Sequence, residues 1–260
     1  MKQLSERVRV VLAPNPSPMT LEGTNTYVVG DRHVLVIDPG PAKDGHLEAV
    51  RDAVGDASVT AILLTHKHHD HAEDAALFAE TFDAQVVGFS RPAQVLVDDG
   101  ARVGGHDQFL YAIHTPGHAA DHLCFVLESE KVLFSGDHVL GRGTTVIAWP
   151  DGDLRAYMAS LERLRHVDIE RIFPGHGPVV ENPMPVIEEY IAHRKMRERQ
   201  ILDALNDRPG TPAELVRRIY TDVDPVLYPV AEMSVRAHLD KLAWEGSARA
   251  EGERWQLTQD

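Results

Sequence analysis

The stretch 64-LTHKHHDHAED-74 packs four histidines and an aspartate into six residues, directly after the apolar run 61-AILL-64. In extended backbone alternate side chains share a face, so His66 and His68 project to one side. Asp70 and His71 fall where a helix-like period begins. Imidazole and carboxylate donors suit zinc, iron or manganese. Two ligand pairs at a strand-to-helix turn can face two different ions. The competing reading is a loop of solvated histidines, and the rest of the chain weighs against it.

Three more donor positions follow, each at the end of an apolar strand-like run. In 115-TPGHAADH-122 a Pro-Gly turn presents His118, in 134-FSGDH-138 Asp137 follows a glycine, and in 173-FPGHGP-178 His176 sits on another Pro-Gly turn. Glycine beside each donor lets backbone approach closely. Any one of these could be an ordinary turn or a solvated histidine, but four such segments in this order are specific.

Around them, short strand-like runs at 27–30, 34–40, 60–66, 85–89, 109–117, 132–137 and 170–177 alternate with helix-like segments at 46–54, 70–82 and 153–165, the last with Asp153 as its cap. The alternation predicts an α/β protein. The striped pattern stops near 181-ENPMP-185, and a long helical pattern covers 186–206. Hydrophobic residues make up 43% of the 260, enough for a sizeable core. The single cysteine, Cys124, lies in an apolar stretch and reads as a buried thiol. No apolar run approaches the ~18 residues of a membrane span and the N-terminus lacks the pattern of a signal peptide, so the expectation is a cytoplasmic protein.

The order THKHHDH, TPGHAADH, SGDH and PGHG resembles the metallo-β-lactamase superfamily, over about the first 180 residues. The resemblance implies an αβ/βα sandwich with a metal cleft at one edge. It implies two divalent ions per chain, zinc first and manganese or iron as alternatives. One ion would be held by His66, His68 and His118, the second by Asp70, His71 and His176, with Asp137 bridging. Of the 15 histidines this scheme uses five. His69, His122 and His138 are left as bystanders or supports of the ligands, and His33, His46, His166 and His238 are expected at the surface. Asp38 in 36-VIDPG-40 matches an acidic residue of the family that could hydrogen-bond a ligating histidine; otherwise it only opens an Asp-Pro-Gly turn.

Two metals about 3.5–4 Å apart activate a shared water and polarise the attacked group. The expected chemistry is therefore hydrolysis by hydroxide, with Asp70 as the catalytic residue that orients it and takes its proton. Esters, thioesters, lactones, lactams and phosphodiesters all fit. The segment 14-PNPSPMTLEGTNTYVVGD-31 and the tail resemble the beta-lactamase-like protein 2 group, which includes an animal mitochondrial endoribonuclease. That resemblance implies a substrate of single-stranded RNA; by position Tyr27, Trp149 and Tyr228 are candidate stacking residues, with Tyr27 and Trp149 equally candidates for the core. The alternative is a small-molecule hydrolase of the glyoxalase II or lactonase kind, with incidental β-lactamase activity. The basic C-terminal motif of glyoxalase II has no counterpart here. An iron dioxygenase would need fewer ligands than the seven present.

The tail, 211–220, 231–246 and the hairpin-like 248–257, reads as a winged helix. The expected organisation is a catalytic domain over 1–198, including a connecting helix from about 186, and a winged-helix domain over 199–260. A winged helix raises the possibility of a DNA-binding regulator. Residues 199–260, however, hold eight arginines and lysines against eleven acids, and the whole chain carries −14. Duplex affinity comes largely from phosphate neutralisation, so no tight duplex DNA binding is expected. The tail then serves as a wall beside the substrate or as a packing or homodimer module. The run Arg194, Lys195, Arg197, Arg199 is the best candidate anion patch, or else the solvated face of a helix.

Overall fold

The computed structural model describes residues 1–105 and 108–258. The chain divides into two compact units. The first holds residues 1–115, 121–145 and 167–183; the second holds 116–120, 146–166 and everything from Met184 on.

The first unit is built on two sheets. One runs, in chain and spatial order, β1 (Lys2–Gln3), β2 (Val8–Leu12), β3 (Asn25–Val29), β4 (His33–Ile37), β5 (Ser58–Leu63), β6 (Gln85–Gly88) and β7 (Val95–Leu96). From β4 to β7 the strands are parallel. The crossovers carry α1 (His46–Val54) and, after β5, α2 (His69–Ala72) and α3 (Ala75–Phe82). The second sheet is ordered β12 (Arg171–Pro174), β11 (Val132–Gly136), β10 (Leu123–Leu127), β9 (Gln108–His114), β8 (Arg102–Gly105), with β11 and β12 parallel.

Strands buried on both faces read as near-continuous apolar runs. Between the sheets Tyr27, Leu35, Ile37 and Leu63 meet Leu110, Leu123, Phe125, Phe134 and Phe173. On the other face of the first sheet Val28, Val36 and Ile62 pack under Val50, Val54, Phe78 and Ala79 of α1 and α3. Cys124 is buried on β10, as expected. The helix expected over 70–82 is two pieces. Asp74, between α2 and α3, accepts the backbone N–H of Ala42 at 2.7 Å, and the break leaves α2 as a single turn carrying Asp70 and His71.

The second unit contains α4 (Leu154–Leu164), capped by Asp153 as expected, since its carboxylate accepts from the N–H groups of Arg155 and Ala156. The 25-residue α5 (Pro183–Asp207) takes two prolines into its first turn, where a missing N–H costs nothing. Then come α6 (Pro212–Ile219), α7 (Tyr228–Trp244) and a hairpin, β13 (Ala248–Glu251) with β14 (Arg254–Leu257). Ile201, Leu205, Leu215, Val216, Val235, Leu239 and Leu242 form their common core. Helix, helix, helix, hairpin is the winged-helix order.

The expected anion patch on α5 is not a patch. Arg194 is 4% exposed and lies over the Tyr157 ring, and Arg197 lies over Tyr220 at 4.3 Å. Only Lys195 and Arg199 face outward. Tyr27, a candidate stacking residue, is a core residue whose hydroxyl donates to the Pro174 carbonyl. Trp149 is 43% exposed. His46 and His238 are buried, contrary to expectation; His46 Nε2 is 2.9 Å from the Pro39 carbonyl. Among the described residues no helix is long and apolar enough to cross a membrane.

Candidate metal centre

Parallel strands bring their carboxyl ends to one edge, and loops at that edge are where open α/β sheets carry their sites. Asp38 follows β4. Thr65, His66, His68 and the α2 turn follow β5. Asp137 follows β11, and His176 follows β12. Asp70, His71, Asp137 and His176 offer one ligand atom each, all within 4.8 Å of one another. His71 Nε2 and His176 Nε2 stand 3.3 Å apart, and Asp137 Oδ1 is 3.3 Å from both. Asp70 Oδ2 is 3.0 Å from His176 Nε2 and 3.5 Å from His71 Nε2. Ligands bound at 2.0–2.1 Å in a tetrahedral shell lie about 3.3 Å apart.

The tautomers sharpen this. His176 Nδ1 is 3.1 Å from the carbonyl of Gly23, which can only accept, so Nδ1 carries the proton. His71 Nδ1 likewise donates to Asp38 Oδ2 at 2.8 Å. Both imidazoles therefore turn Nε2 into the same space beside Asp137 and Asp70, where each can bind either a proton or a metal ion. The titration of the cluster agrees. Burial opposes a charged His176, yet Asp137 and Asp70 hold its pKa up at about 9. Burial likewise opposes, and Asp137, Asp38 and Asp70 together overcome, so that His71 lies well above the usual imidazole range. Asp137 is held well below the carboxylate range by His71 and His176 in spite of its burial. A nitrogen and oxygen donor set with this spacing and this appetite for positive charge fits a divalent metal.

Asp38 has a wider role than the sequence suggested. It sits at φ 48°, the left-handed conformation of its Asp-Pro-Gly turn, and its carboxylate makes three bonds from there. Oδ1 accepts the Thr65 N–H at 2.8 Å, and Oδ2 accepts both the Thr65 hydroxyl at 2.7 Å and His71 Nδ1. With its hydrogen committed, Thr65 Oγ1 accepts from His66 Nδ1 at 3.0 Å. His66 Nε2 is thereby left as a donor to metal, facing His68 Nδ1 at 3.0 Å. One carboxylate thus sets the tautomers of His66 and His71, residues expected on different ions. His118 lies in the second unit, where its Nδ1 donates to the Val146 carbonyl at 2.8 Å and its Nε2 keeps the lone pair.

His122, which the sequence left as either a bystander or a support of the ligands, is a support. Its Nε2 accepts the backbone N–H of Asp137 at 3.2 Å, which fixes Nδ1 as the donor to Thr115 Oγ1. Gly136 and Gly175 are the close approaches the sequence led one to expect. A Cβ on Gly175 would stand 2.6 Å from Asp137 Oδ1, and one on Gly136, at φ 47°, would stand 2.6 Å from Thr65 Oγ1. His69 is exposed, and His138 is buried.

Comparison with known proteins agrees with this geometry. A family model described as Metallo-beta-lactamase superfamily matches residues 19–176, and one described as Beta-lactamase associated winged helix domain matches 211–255. The chain is 38% identical to a Drosophila melanogaster protein named Beta-lactamase-like protein 2 homolog, over 95% of this chain and 91% of that one. It is 36% identical to an Aspergillus fumigatus protein named Atrochrysone carboxyl ACP thioesterase, over 84% and 74%. The solved structure of a metallo-beta-lactamase family protein from Thermus thermophilus superposes with a TM-score of 0.84 at 25% identity, covering 98% of this chain and 100% of that one.

Proposed function

The chain belongs to the metallo-β-lactamase superfamily of metal-dependent hydrolases, and from that premise we propose that it works with two divalent ions on single-stranded RNA. The observation that carries the two-ion reading is the pair of converging donor sets, Asp70, His71, Asp137 and His176 on one side and His66 with His68 on the other. The family resemblance would add His118 to His66 and His68 as a ligand of one ion and would have Asp137 serve both ions. Zinc is the first choice for such donors, with manganese or iron as alternatives.

Bound there, the ions would supply a hydroxide at neutral pH and a Lewis acid for the oxygen of the electrophile. The protein's own part is positioning and proton handling. Asp70 is the member of the second cluster most open to solvent, its side chain 29% exposed. Its carboxylate orients the attacking water and accepts its proton. Asp38 keeps His66 and His71 in the metal-binding tautomer, and His122 keeps Asp137 in register. No side-chain nucleophile is required.

Support for RNA is the resemblance of 14–31 and of the tail to the beta-lactamase-like protein 2 group, with a relative matched along 95% of the chain. With Tyr27 in the core, Trp149 is the stronger stacking candidate of the three. A second reading, thioester hydrolysis, is favoured by the relative named as an acyl-carrier thioesterase. The test is a zinc-reconstituted preparation assayed on labelled single-stranded RNA and on an acyl thioester panel, with His68→Ala as the control. RNA cleavage that His68→Ala abolishes is the expected result. Equal, slow RNA loss in both proteins, with thioester turnover only in wild type, would replace the first reading by the second.

A further inference from the structure

The cations of the second unit are unevenly placed. Although acids outnumber bases over 199–260, Arg208, Arg217, Arg218 and Arg254 line one cavity of about 290 Å³ in which Glu214 is the single carboxylate. Arg208 follows α5, Arg217 and Arg218 lie in the last turn of α6, and Arg254 opens β14. Four guanidinium groups against one carboxylate leave a formal excess of three positive charges.

Two of the four are fixed. Arg218 Nη1 donates to the carbonyls of Ala204 at 3.2 Å and Arg208 at 3.0 Å, and its Nη2 to that of Pro209 at 3.4 Å. Gly210 leaves room for it; a Cβ there would stand 3.0 Å from Arg218 Nη2. Arg254 Nη2 donates to the Pro209 carbonyl at 2.7 Å and its Nη1 to Glu214 at 3.3 Å. Carbonyls orient these cations without cancelling their charge, and the one carboxylate is shared between them, Glu214 Oε2 standing 3.2 Å from Arg254 Nη2 and 3.7 Å from Arg218 Nη2, so the pair keeps one positive charge and Arg208 and Arg217 supply the other two. Glu214 is itself committed, closing the capping box of Thr211. The side chains of Arg208 and Arg217 are exposed, and no partner holds them among the described residues.

We propose that this cavity is a binding site for a phosphate group, with Arg218 and Arg254 as its fixed wall and Arg208 and Arg217 as the arms that close on the ligand. Guanidinium forks match the oxygens of phosphate in a bidentate way. The donors come from three directions, the end of α5, the last turn of α6 and the start of β14, which suits a tetrahedral oxyanion better than a planar carboxylate. The volume sits at the low end of small-ligand clefts, about 300 Å³, room for one phosphate and part of what it is attached to. The phosphate is that of a small phosphorylated molecule or one link of a single-stranded polynucleotide. A compact pocket of this kind is not the long basic stripe that duplex DNA needs.

The site is independent of the hydrolytic reading, and so is its test, which measures binding alone. Zinc-loaded full-length protein is titrated with inorganic phosphate by calorimetry and with a fluorescent single-stranded oligodeoxynucleotide by anisotropy. Arg208→Gln/Arg217→Gln is the variant, because both side chains are exposed and unengaged and their loss leaves the fold and zinc content unchanged. Lys195→Gln/Arg199→Gln, which removes the two outward cations of α5, is the control. The expected result is a loss of roughly tenfold or more in phosphate affinity in the Arg208/Arg217 variant alone. If oligonucleotide affinity falls with it and the salt dependence becomes shallower by about 1.4, as when two phosphates of a single strand are no longer neutralised, the source is a polynucleotide. If only phosphate binding falls, the source is a small phosphorylated molecule. Equal binding by wild type and the Arg208/Arg217 variant, no phosphate binding by wild type, or an equal loss in the control would overturn the proposal.

Discussion

Asp38 shows how much depends on a single side chain. It accepts from His71 and, through the Thr65 hydroxyl, governs His66. Asp38→Asn keeps the size and tolerates the left-handed backbone, but presents an NH2 to donors that need an acceptor. Zinc affinity should fall about 10- to 100-fold, measured by competition with a chromophoric chelator; unchanged affinity would show that the tautomers are set elsewhere. His176 makes a second expectation, for the metal-free protein. Its folded pKa, about 9, lies above the ordinary 6.5 because Asp137 and Asp70 outweigh the effect of burial. A group whose pKa is raised by folding contributes stability that is fully present below the unfolded value and is lost as pH rises through the folded one. Chelated protein should therefore lose stability between pH 6.5 and about 9, read as a falling urea midpoint. A flat profile over that window would mean His176 is not charged.

Among the elements, the strand ends were legible in the sequence because each ligand segment travels with a local signal, an apolar run followed by its donors, with a glycine directly before His118, Asp137 and His176. Of what surrounds them, the bond from a ligating histidine to Asp38 was legible and the rest was not. His122 reaches the amide of a residue fifteen positions away, a contact that no local pattern encodes. The break between α2 and α3 depends on Asp74 finding the Ala42 N–H across the fold. The arginine cavity draws on three elements that the hairpin brings together, and a net charge taken over the whole segment averages it away. The glycines, by contrast, were readable. Gly175→Ala would place a methyl 2.6 Å from Asp137 Oδ1 and 2.8 Å from His71 Cε1. The second cluster should lose its ion while His66 and His68 keep theirs, so zinc content should drop from two equivalents toward one. Two equivalents in the variant would show that the loop shifts without cost.

At the level of the whole molecule, the α/β alternation through β4, β5 and β6 and the winged-helix order of the tail were both visible in the sequence, whereas the two-residue β7 was not. Metal should stabilise the first unit by mass action, about 2.7 kcal/mol when free zinc is a hundredfold above its Kd. Elemental analysis after zinc addition should approach two equivalents, and chelation should lower the melting temperature of that unit by several degrees. A stable single iron with no capacity for a second ion would remove the dinuclear reading. The His176 turn sets the terms on which such an ion could leave. The Asn25 side chain donates to the carbonyls of Pro174 and Gly177, its N–H donates to that of Gly175, and the Tyr27 hydroxyl also grips Pro174. Strand β3 thus clamps the backbone of this turn from both sides of the ligand, while the fully buried His176 ring is held by the Gly23 carbonyl, so the ring moves away only with the turn. Release of the ion becomes a sub-global opening rather than a side-chain rotation. Exchange of bound zinc and exchange of the Gly175 amide hydrogen should then be governed by the same rare opening, and slow down together.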